Sequence, residues 1–210
     1  MSHPWAINWV RMHEQLYLPG IARPPARTDH LFLAFFPDDS VTRQIAQLAK
    51  ELRARLGLGD NQLAADRFHV SLYSLGTYSG VPEIVVRAAS QAAAAVAASI
   101  APFKVKFDRA GSFAGGRDHR PFVLRTSGGN AALVKFHGRL GAELGKRGFP
   151  YNQNSRFTPH TTLLYSKQSA AEESVNAVSW MVSELVLVHS LLGKTQYIPL
   201  ARWMLHGPTG

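Results

Sequence analysis

At 210 residues, 46% of them hydrophobic and 18% charged, the chain has the composition of one globular domain or two small lobes sharing a core, and not of a disordered protein. Cysteine is absent, which excludes disulfides, thiolate catalysis and cysteine-ligated zinc and fits the cytoplasm, and no apolar run approaches the roughly 20 residues of a membrane span. The formal net charge of +9 favours an anionic partner such as nucleic acid or a nucleotide, or simply indicates a basic soluble protein.

Residues 1–29 have a mixed character. Trp5, Trp9 and Arg11 are interspersed with four prolines, and no continuous apolar core is present. This pattern is not that of a signal peptide. We expect an N-terminal extension that packs on the domain surface or is partly disordered, followed by one domain over residues 30–206.

The first half of this domain predicts strand, helix, strand, helix and strand. An apolar run over Leu31–Phe36 indicates a buried strand, and apolar residues at spacings of three and four predict a helix over Val41–Leu56. A strand is expected from about Arg67 to Leu75, ending at a glycine. An alanine-rich helix over Pro82–Ile100 and an alternating strand over Phe103–Phe107 complete this half.

The second half follows a similar order. A glycine-rich loop over Gly111–Arg120 precedes a short strand, Phe122–Leu124, and Asn130 is expected to cap a helix that stops at Gly148. The remaining predicted strands are about Thr158–Tyr165, Leu185–Val188 and about Gln196–Leu205. We therefore expect an α+β, bilobal fold in which two antiparallel-rich sheets with flanking helices surround a central cleft with pseudo-two-fold symmetry.

Two short motifs of the same type lie in strand-like settings, one in each half. Each is a histidine, any residue, a hydroxyl residue and an apolar residue: His69 with Ser71, and His160 with Thr162. Side chains alternate along a strand, so each histidine shares a face with its hydroxyl residue. About one such pattern is expected by chance, but two copies, each preceded by a similar helix, predict a site for acid–base chemistry on a phosphate ester.

On these paired motifs, the opening strand and helix, and the Leu75-Gly76 step, the chain resembles the 2H phosphoesterase superfamily. It is most similar to the 2′-5′ RNA ligase / RNA 2′,3′-cyclic phosphodiesterase branch, over roughly residues 30 to 205. The resemblance implies a bilobal fold and hydrolysis of a 2′,3′-cyclic phosphate to a 2′-phosphate, with no metal and no cofactor. It implies that His69 and His160 are catalytic and that Ser71 and Thr162 hold the phosphate.

The chain departs from this pattern after the second motif. Many members carry a basic residue three positions beyond the threonine, where this chain has Tyr165. Three basic residues could take its place: Lys167, Arg156 or Arg67.

Tyr73 and Tyr165 are candidates for stacking on a nucleobase, or are half-buried strand residues. Strict alternation places Tyr73 on the face of His69 and Tyr165 on the face opposite His160, which favours Tyr73. A loop with three charged or titratable residues could meet an RNA backbone or be solvated: Arg117, His119 and Arg120.

The leading hypothesis is a cytoplasmic cyclic phosphodiesterase acting on RNA termini or cyclic nucleotides. The alternatives are a non-catalytic RNA- or nucleotide-binding module and a 2′-5′ RNA ligase. The sequence leaves open which histidine is the acid and which the base, the physiological substrate and the oligomeric state.

Overall fold

The structure is a computed structural model. It describes five stretches of the chain: residues 26–59, 61–113, 119–128, 130–150 and 157–207. The predicted extension therefore lies almost entirely outside the described residues. The three α-helices in these stretches are α1 (Asp39–Leu56), α2 (Glu83–Ala97) and α3 (Ala131–Gly145). The strands are β1 (Asp29–Phe35), β2 (Asn61–Gln62), β3 (Val70–Tyr78), β4 (Phe103–Ser112), β5 (Arg120–Arg125), β6 (His160–Ser166), β7 (Glu173–Val182), β8 (Glu184–Leu191) and β9 (Gln196–Met204).

Local sequence explains the position of α1, the helix that follows the opening strand. The side chain of Asp38 accepts a hydrogen bond of 2.9 Å from the backbone N–H of Val41 and so caps the first turn. Four residues at spacings of three and four are buried: Val41, Ile45, Ala49 and Leu52. Gly57 ends the helix with a φ of 62°, which glycine adopts without strain.

The strands form one antiparallel sheet in the order β7-β4-β5-β6-β3-β1-β8-β9, with β2 paired to β6. The predicted α+β class is confirmed. The two sheets expected from the sequence are two halves of this one sheet, and the junction between β3 and β6 contains a single residue pair, Val70 with Thr161. The buried residues of all three helices share one hydrophobic cluster with one face of the sheet. None of the described helices packs on the opposite face, which we call the helix-free face.

Several local features differ from the sequence-based expectation. The short β2 was not predicted, and β4 continues beyond Phe107 to Ser112. The strand β7 was not predicted, because only three of its ten residues are buried and its apolar residues alternate irregularly. The strand β3 does not end at Gly76, which pairs with Leu31 at a φ of 120° and lets the strand continue to Tyr78. Asn130 makes no side-chain cap. Its amide instead bonds the backbone N–H and C=O of Lys106, at 3.0 Å each.

None of the helices in the described stretches is long and apolar enough to cross a membrane.

Candidate active site

The register between β3 and β6 brings the two sequence motifs together. Val70 and Thr161 are paired and are 1% and 0% exposed, so both side chains point into the core beneath the helices. Neighbouring residues of a strand point to the opposite face. The four motif side chains therefore share the helix-free face of the sheet: His69, Ser71, His160 and Thr162.

The two histidines are held in the same way. The Nδ1 of His69 lies 2.7 Å from the carbonyl oxygen of Arg67, and the Nδ1 of His160 lies 2.8 Å from that of Thr158. A carbonyl only accepts hydrogen bonds, so each Nδ1 carries a proton and each neutral ring has its lone pair on Nε2. The Nε2 of His69 lies 2.8 Å from the Ser71 Oγ, which can donate to it. Both rings thus keep Nε2 for proton transfer.

Aromatic side chains enclose His69. The ring centroids of Phe32, Phe36 and Tyr197 lie 5.1, 5.7 and 5.5 Å from that of the imidazole. Burial among these rings is the main cause that lowers the pKa of His69, to about 4, and the positive charges of Arg67 and His160 act in the same direction. His69 is therefore neutral in the free protein at physiological pH.

His160 has a matching but distinct environment in the other half of the sheet. Its ring meets Phe113 at 4.8 Å and 75°, an edge-to-face contact. Burial lowers the pKa of His160, and the charge of Arg125, its cross-strand partner on β5, lowers it further.

Beside each histidine, an arginine lies over one of the aromatic rings, Tyr197 or Phe113. Arg67 is 4.7 Å from the centroid of Tyr197 and its Nη2 donates to the phenol oxygen at 3.1 Å, while Arg125 is 5.1 Å from the centroid of Phe113. Both arginines have a buried Nε without a hydrogen-bond partner. Arg125 forms an ion pair with Glu172, whereas Arg67 has no carboxylate partner within the described part of the chain. Each half of the site therefore consists of a histidine, an aromatic ring and an arginine.

Tyr73, predicted on the face of His69, lies on the opposite face. In the pairing with β1, Leu33 is opposite Tyr73, and the residue after Leu33 is opposite Ser71, so Leu72 is an extra residue, as in a β-bulge. The bulge reverses the alternation. Tyr73 stacks on His137 of α3 at 4.3 Å, and its hydroxyl donates to the His137 carbonyl at 3.1 Å. Tyr73 therefore packs against α3, and the prediction that it shares the face of His69 is wrong.

Tyr165, predicted on the face opposite His160, is turned into the site by a second bulge at the equivalent motif position. Thr162 and Leu164 lie opposite consecutive residues of β5, so Leu163 is extra. Both leucines are buried, and the ring of Tyr165 stacks on His119 at 4.4 Å and 4°.

The electrostatic surroundings of Tyr165 agree with this orientation. Burial is the main cause that raises the pKa of its phenol. The phenol of Tyr197 raises it further, and the charge of Arg67 lowers it. These three side chains are therefore neighbours, and Arg67 supplies a cation beside Tyr165, the position where the family resemblance implies one.

Among the other predicted candidates, Lys167 is exposed, and its carbonyl is 3.4 Å from the Nη1 of Arg120. Arg117 and Arg156 lie outside the described residues. The residues that sequence reasoning missed are Phe32, Phe36, Phe113, Arg125 and Tyr197. Arg125 could have been found by continuing the alternation of the short strand Phe122–Leu124 by one position.

The stretches of chain that the structure describes contain no group of three or more histidine, aspartate and glutamate side chains placed to hold a metal ion.

Comparisons with known proteins agree with the fold. Residues 36–194 match the family model of the 2′-5′ RNA ligase superfamily. Crystal structures of Escherichia coli LigT are similar to this chain. The apo form matches at a TM-score of 0.66 and 24% identity over 85% of this chain and 98% of LigT, and the complex with 3′-AMP at 0.66 and 25% over 84% and 98%. The protein TT0787 of Thermus thermophilus matches at 0.69 and 21% over 86% of this chain and its full length. No curated protein matches significantly.

Proposed function

The chain belongs to the 2′-5′ RNA ligase superfamily, and we propose that it hydrolyses 2′,3′-cyclic phosphates of RNA ends or nucleotides to 2′-phosphates, without a metal. The observation that carries the proposal is the pairing of two imidazoles on one face of the sheet, each anchored through Nδ1 and presenting Nε2. Two such groups are the acid and the base that opening a cyclic phosphodiester requires. E. coli LigT has been crystallised with 3′-AMP and with phosphate, which supports a nucleotide ligand here.

In the proposed reaction a water molecule attacks phosphorus while one imidazole Nε2 removes its proton. The new P–O bond forms as the bond between phosphorus and the 3′ oxygen breaks. The second imidazole, protonated at Nε2, delivers its proton to the departing 3′ oxygen. The product carries a 2′-phosphate and a 3′-hydroxyl, and the net proton balance is zero.

We assign His69 as the base and His160 as the acid in this direction. His69 is neutral at physiological pH because its pKa is about 4, and its Nε2 lone pair accepts a hydrogen bond from Ser71. A base must be neutral when substrate arrives. His160 then has to be protonated, and the negative phosphate of the bound substrate favours that form.

We propose that four side chains hold the phosphate. The hydroxyls of Ser71 and Thr162 share the face of the imidazoles. Ser71 donates to the His69 Nε2 in the free protein, and once the attacking water takes that place both hydroxyls can donate to the non-bridging oxygens. The guanidinium groups of Arg67 and Arg125 are close enough to His69 and His160 to lower the pKa of each imidazole, and Arg67 has no carboxylate partner among the described residues. Donors aimed at oxygens on which charge develops are worth most in the transition state.

Tyr165 and His119 form a stacked pair that a nucleobase can extend. His119 is exposed, so one face of its ring is open to a ligand, while the other face meets Tyr165 at 4.4 Å. Base-on-aromatic stacking is tolerant of base identity. We therefore expect the substrate base to stack on this pair with little preference among bases.

The test is to incubate the purified protein with a 2′,3′-cyclic nucleotide in the presence of a chelator and to identify the product. We expect a 2′-monophosphate, and we expect His69→Ala and His160→Ala each to lower turnover by about 100- to 10,000-fold. Absence of turnover in the wild type, or unchanged turnover in both variants, would refute the proposal. Tight RNA binding without product would instead identify a binding module, and joining of RNA fragments would identify a 2′-5′ ligase.

The acid and base assignment has its own test. An aryl phosphodiester with a nitrophenolate leaving group needs no protonation of that group, so it should rescue the variant that lacks the acid. We expect the activity lost in His160→Ala to recover on this substrate and that of His69→Ala to remain low. The opposite result would exchange the two roles.

A further inference from the structure

The helix-free face of the sheet carries cations on β4, outside the two histidine–aromatic–arginine sets. The register places Arg109 of β4 directly opposite Arg125 of β5, which is itself opposite His160. Lys104 and Lys106 precede Arg109 on the same strand, on the face opposite buried Val105. We call Lys104, Lys106 and Arg109 the β4 cations.

The arrangement of the β4 cations is unfavourable for the free protein. Like charges directly opposite each other on adjacent strands destabilise a sheet, as Arg109 and Arg125 do here. Two carboxylates offset the charge: Asp108 lies 3.2 Å from the Nζ of Lys106, and Glu172 pairs with Arg125. No ion pair of Lys104 or Arg109 is present among the described residues. The net charge of this surface is therefore positive.

The neighbouring strand β7 places a serine opposite two of the β4 cations and the exposed Met181 opposite Lys104. Ser174 is opposite Arg109 and Ser179 is opposite Lys106, and both can donate a hydrogen bond to an anion. Lys104 and Lys106 are both exposed, and the side chain of Lys106 is 56% exposed despite its ion pair. The surface is thus open along its length to an extended ligand.

The other half of the same face is different. Its centre consists of four buried apolar residues: Phe32, Ala34, Val186 and Val188. Arg202 of β9 lies opposite Val186 on this face, but it is paired with Glu184. The positive charge without a carboxylate partner therefore continues from the site in one direction, across β5 to β4. Strands are about 4.8 Å apart, so Arg109 lies two strands, or about 10 Å, from the backbone of His160.

We propose that the β4 cations bind the phosphate backbone of a single-stranded RNA whose 3′-terminal cyclic phosphate lies between His69 and His160. This inference rests on the proposed function and names its preferred substrate, an RNA end rather than a mononucleotide. Lysine and arginine contacts to phosphates fix the position of the strand without reading its sequence. The substrate strand then leaves the site over Arg125, past Arg109, toward Lys106 and Lys104.

The experiment compares kcat/KM for a short oligoribonucleotide ending in a 2′,3′-cyclic phosphate with kcat/KM for the cyclic mononucleotide. We expect the ratio to favour the oligonucleotide, and to fall about threefold for each of Arg109→Gln, Lys104→Gln and Lys106→Gln. The matched control is Arg87→Gln on α2, which removes the same charge from a side chain that is 62% exposed and lies on the helix side of the sheet. It should leave the ratio unchanged.

A second readout does not need turnover. In a His69→Ala/His160→Ala background, we expect binding of a fluorescent single-stranded RNA to weaken with salt. The slope of the logarithm of the binding constant against the logarithm of the salt concentration should fall in magnitude by about 0.7 for each β4 cation removed. The inference would be overturned if the wild type had similar kcat/KM values for the oligonucleotide and the mononucleotide. Equal effects of Arg109→Gln and Arg87→Gln in both assays would also overturn it. If the mononucleotide is hydrolysed, such a result leaves the proposed function standing. If neither substrate turns over but the slope falls as expected, only the proposed function fails.

Discussion

Val70 and Thr161 form the single residue pair between β3 and β6, the two strands that carry the histidine motifs. Because both side chains are buried beneath the helices, every motif histidine and hydroxyl must lie on the other face. The junction therefore sets the position of one imidazole relative to the other, although the two motifs are far apart in the chain.

Thr161 and Thr162 are adjacent in sequence and have opposite environments. The Oγ1 of Thr161 is buried without a hydrogen-bond partner, whereas Thr162 faces the site. A buried unpaired hydroxyl is unfavourable, so Thr161→Val should raise the free energy of unfolding by about 1 kcal/mol and leave kcat/KM unchanged. Thr162→Val should lower kcat/KM about 100-fold with little effect on stability.

Urea denaturation and steady-state kinetics on both variants check this pair of predictions. Each variant serves as the control for the other, since the chemical change is identical. A destabilised Thr161→Val, or a Thr162→Val variant with wild-type kinetics, would show that the faces have been assigned incorrectly.

The pH dependence of kcat/KM follows from the two histidine pKa values in the free protein. The base must be neutral and the acid protonated, which gives a bell-shaped profile. Burial lowers the pKa of His69 to about 4 and also lowers that of His160 from its usual 6.5. The acid limb should therefore lie near pH 4 and the basic limb below 6.5, so the optimum of kcat/KM should be on the acidic side of 6.5.

The profile of kcat should lie at higher pH, because the phosphate charge of bound substrate stabilises both protonated imidazoles. Initial rates from about pH 3 to pH 9 in buffers of constant ionic strength measure both profiles. An optimum of kcat/KM above 7 would contradict the assigned environments of the two rings.

The sequence was sufficient to predict the α+β class, most elements and the two motifs, because apolar periodicity and paired signatures are local properties. It could not predict the faces of Tyr73 and Tyr165. Each depends on one extra residue, Leu72 or Leu163, whose place in the ladder is fixed by the neighbouring strand and not by its own identity. Phe113 was missed for a related reason, since its contact with His160 depends on tertiary packing.

The two tyrosines give a direct test of the bulges. Tyr165→Ala removes the ring that stacks on His119 in the site, so it should raise KM about tenfold. Tyr73→Phe removes the hydrogen bond to the His137 carbonyl on the opposite face, so it should lower the free energy of unfolding by about 1 kcal/mol and leave KM unchanged.

Steady-state kinetics and urea denaturation of the two variants separate these effects. His119→Ala should reproduce the KM effect of Tyr165→Ala, because it breaks the same stack. A larger KM effect from Tyr73→Phe than from Tyr165→Ala would indicate strict alternation along both strands, without the two bulges.

Arg67 and Arg125 act on different histidines, so removing each should shift a different limb of the bell-shaped pH profile of kcat/KM. The charge of Arg67 lowers the pKa of His69, and that of Arg125 lowers the pKa of His160. Arg67→Gln should therefore shift the acid limb of kcat/KM to higher pH and leave the basic limb in place. Arg125→Gln should shift the basic limb to higher pH and leave the acid limb in place. Both variants should also lower kcat/KM, by about 10- to 100-fold, through lost phosphate contacts.

The limb shifts distinguish an electrostatic role from a structural one, because loss of packing lowers activity at every pH without moving one limb selectively. Arg67→Lys and Arg125→Lys are the matched variants: they retain the charge, so both limbs should stay in place even where the planar guanidinium contacts are lost. If Arg67→Gln moved the basic limb instead, His69 would be the group that must be protonated, and the assignment of base and acid would have to be exchanged.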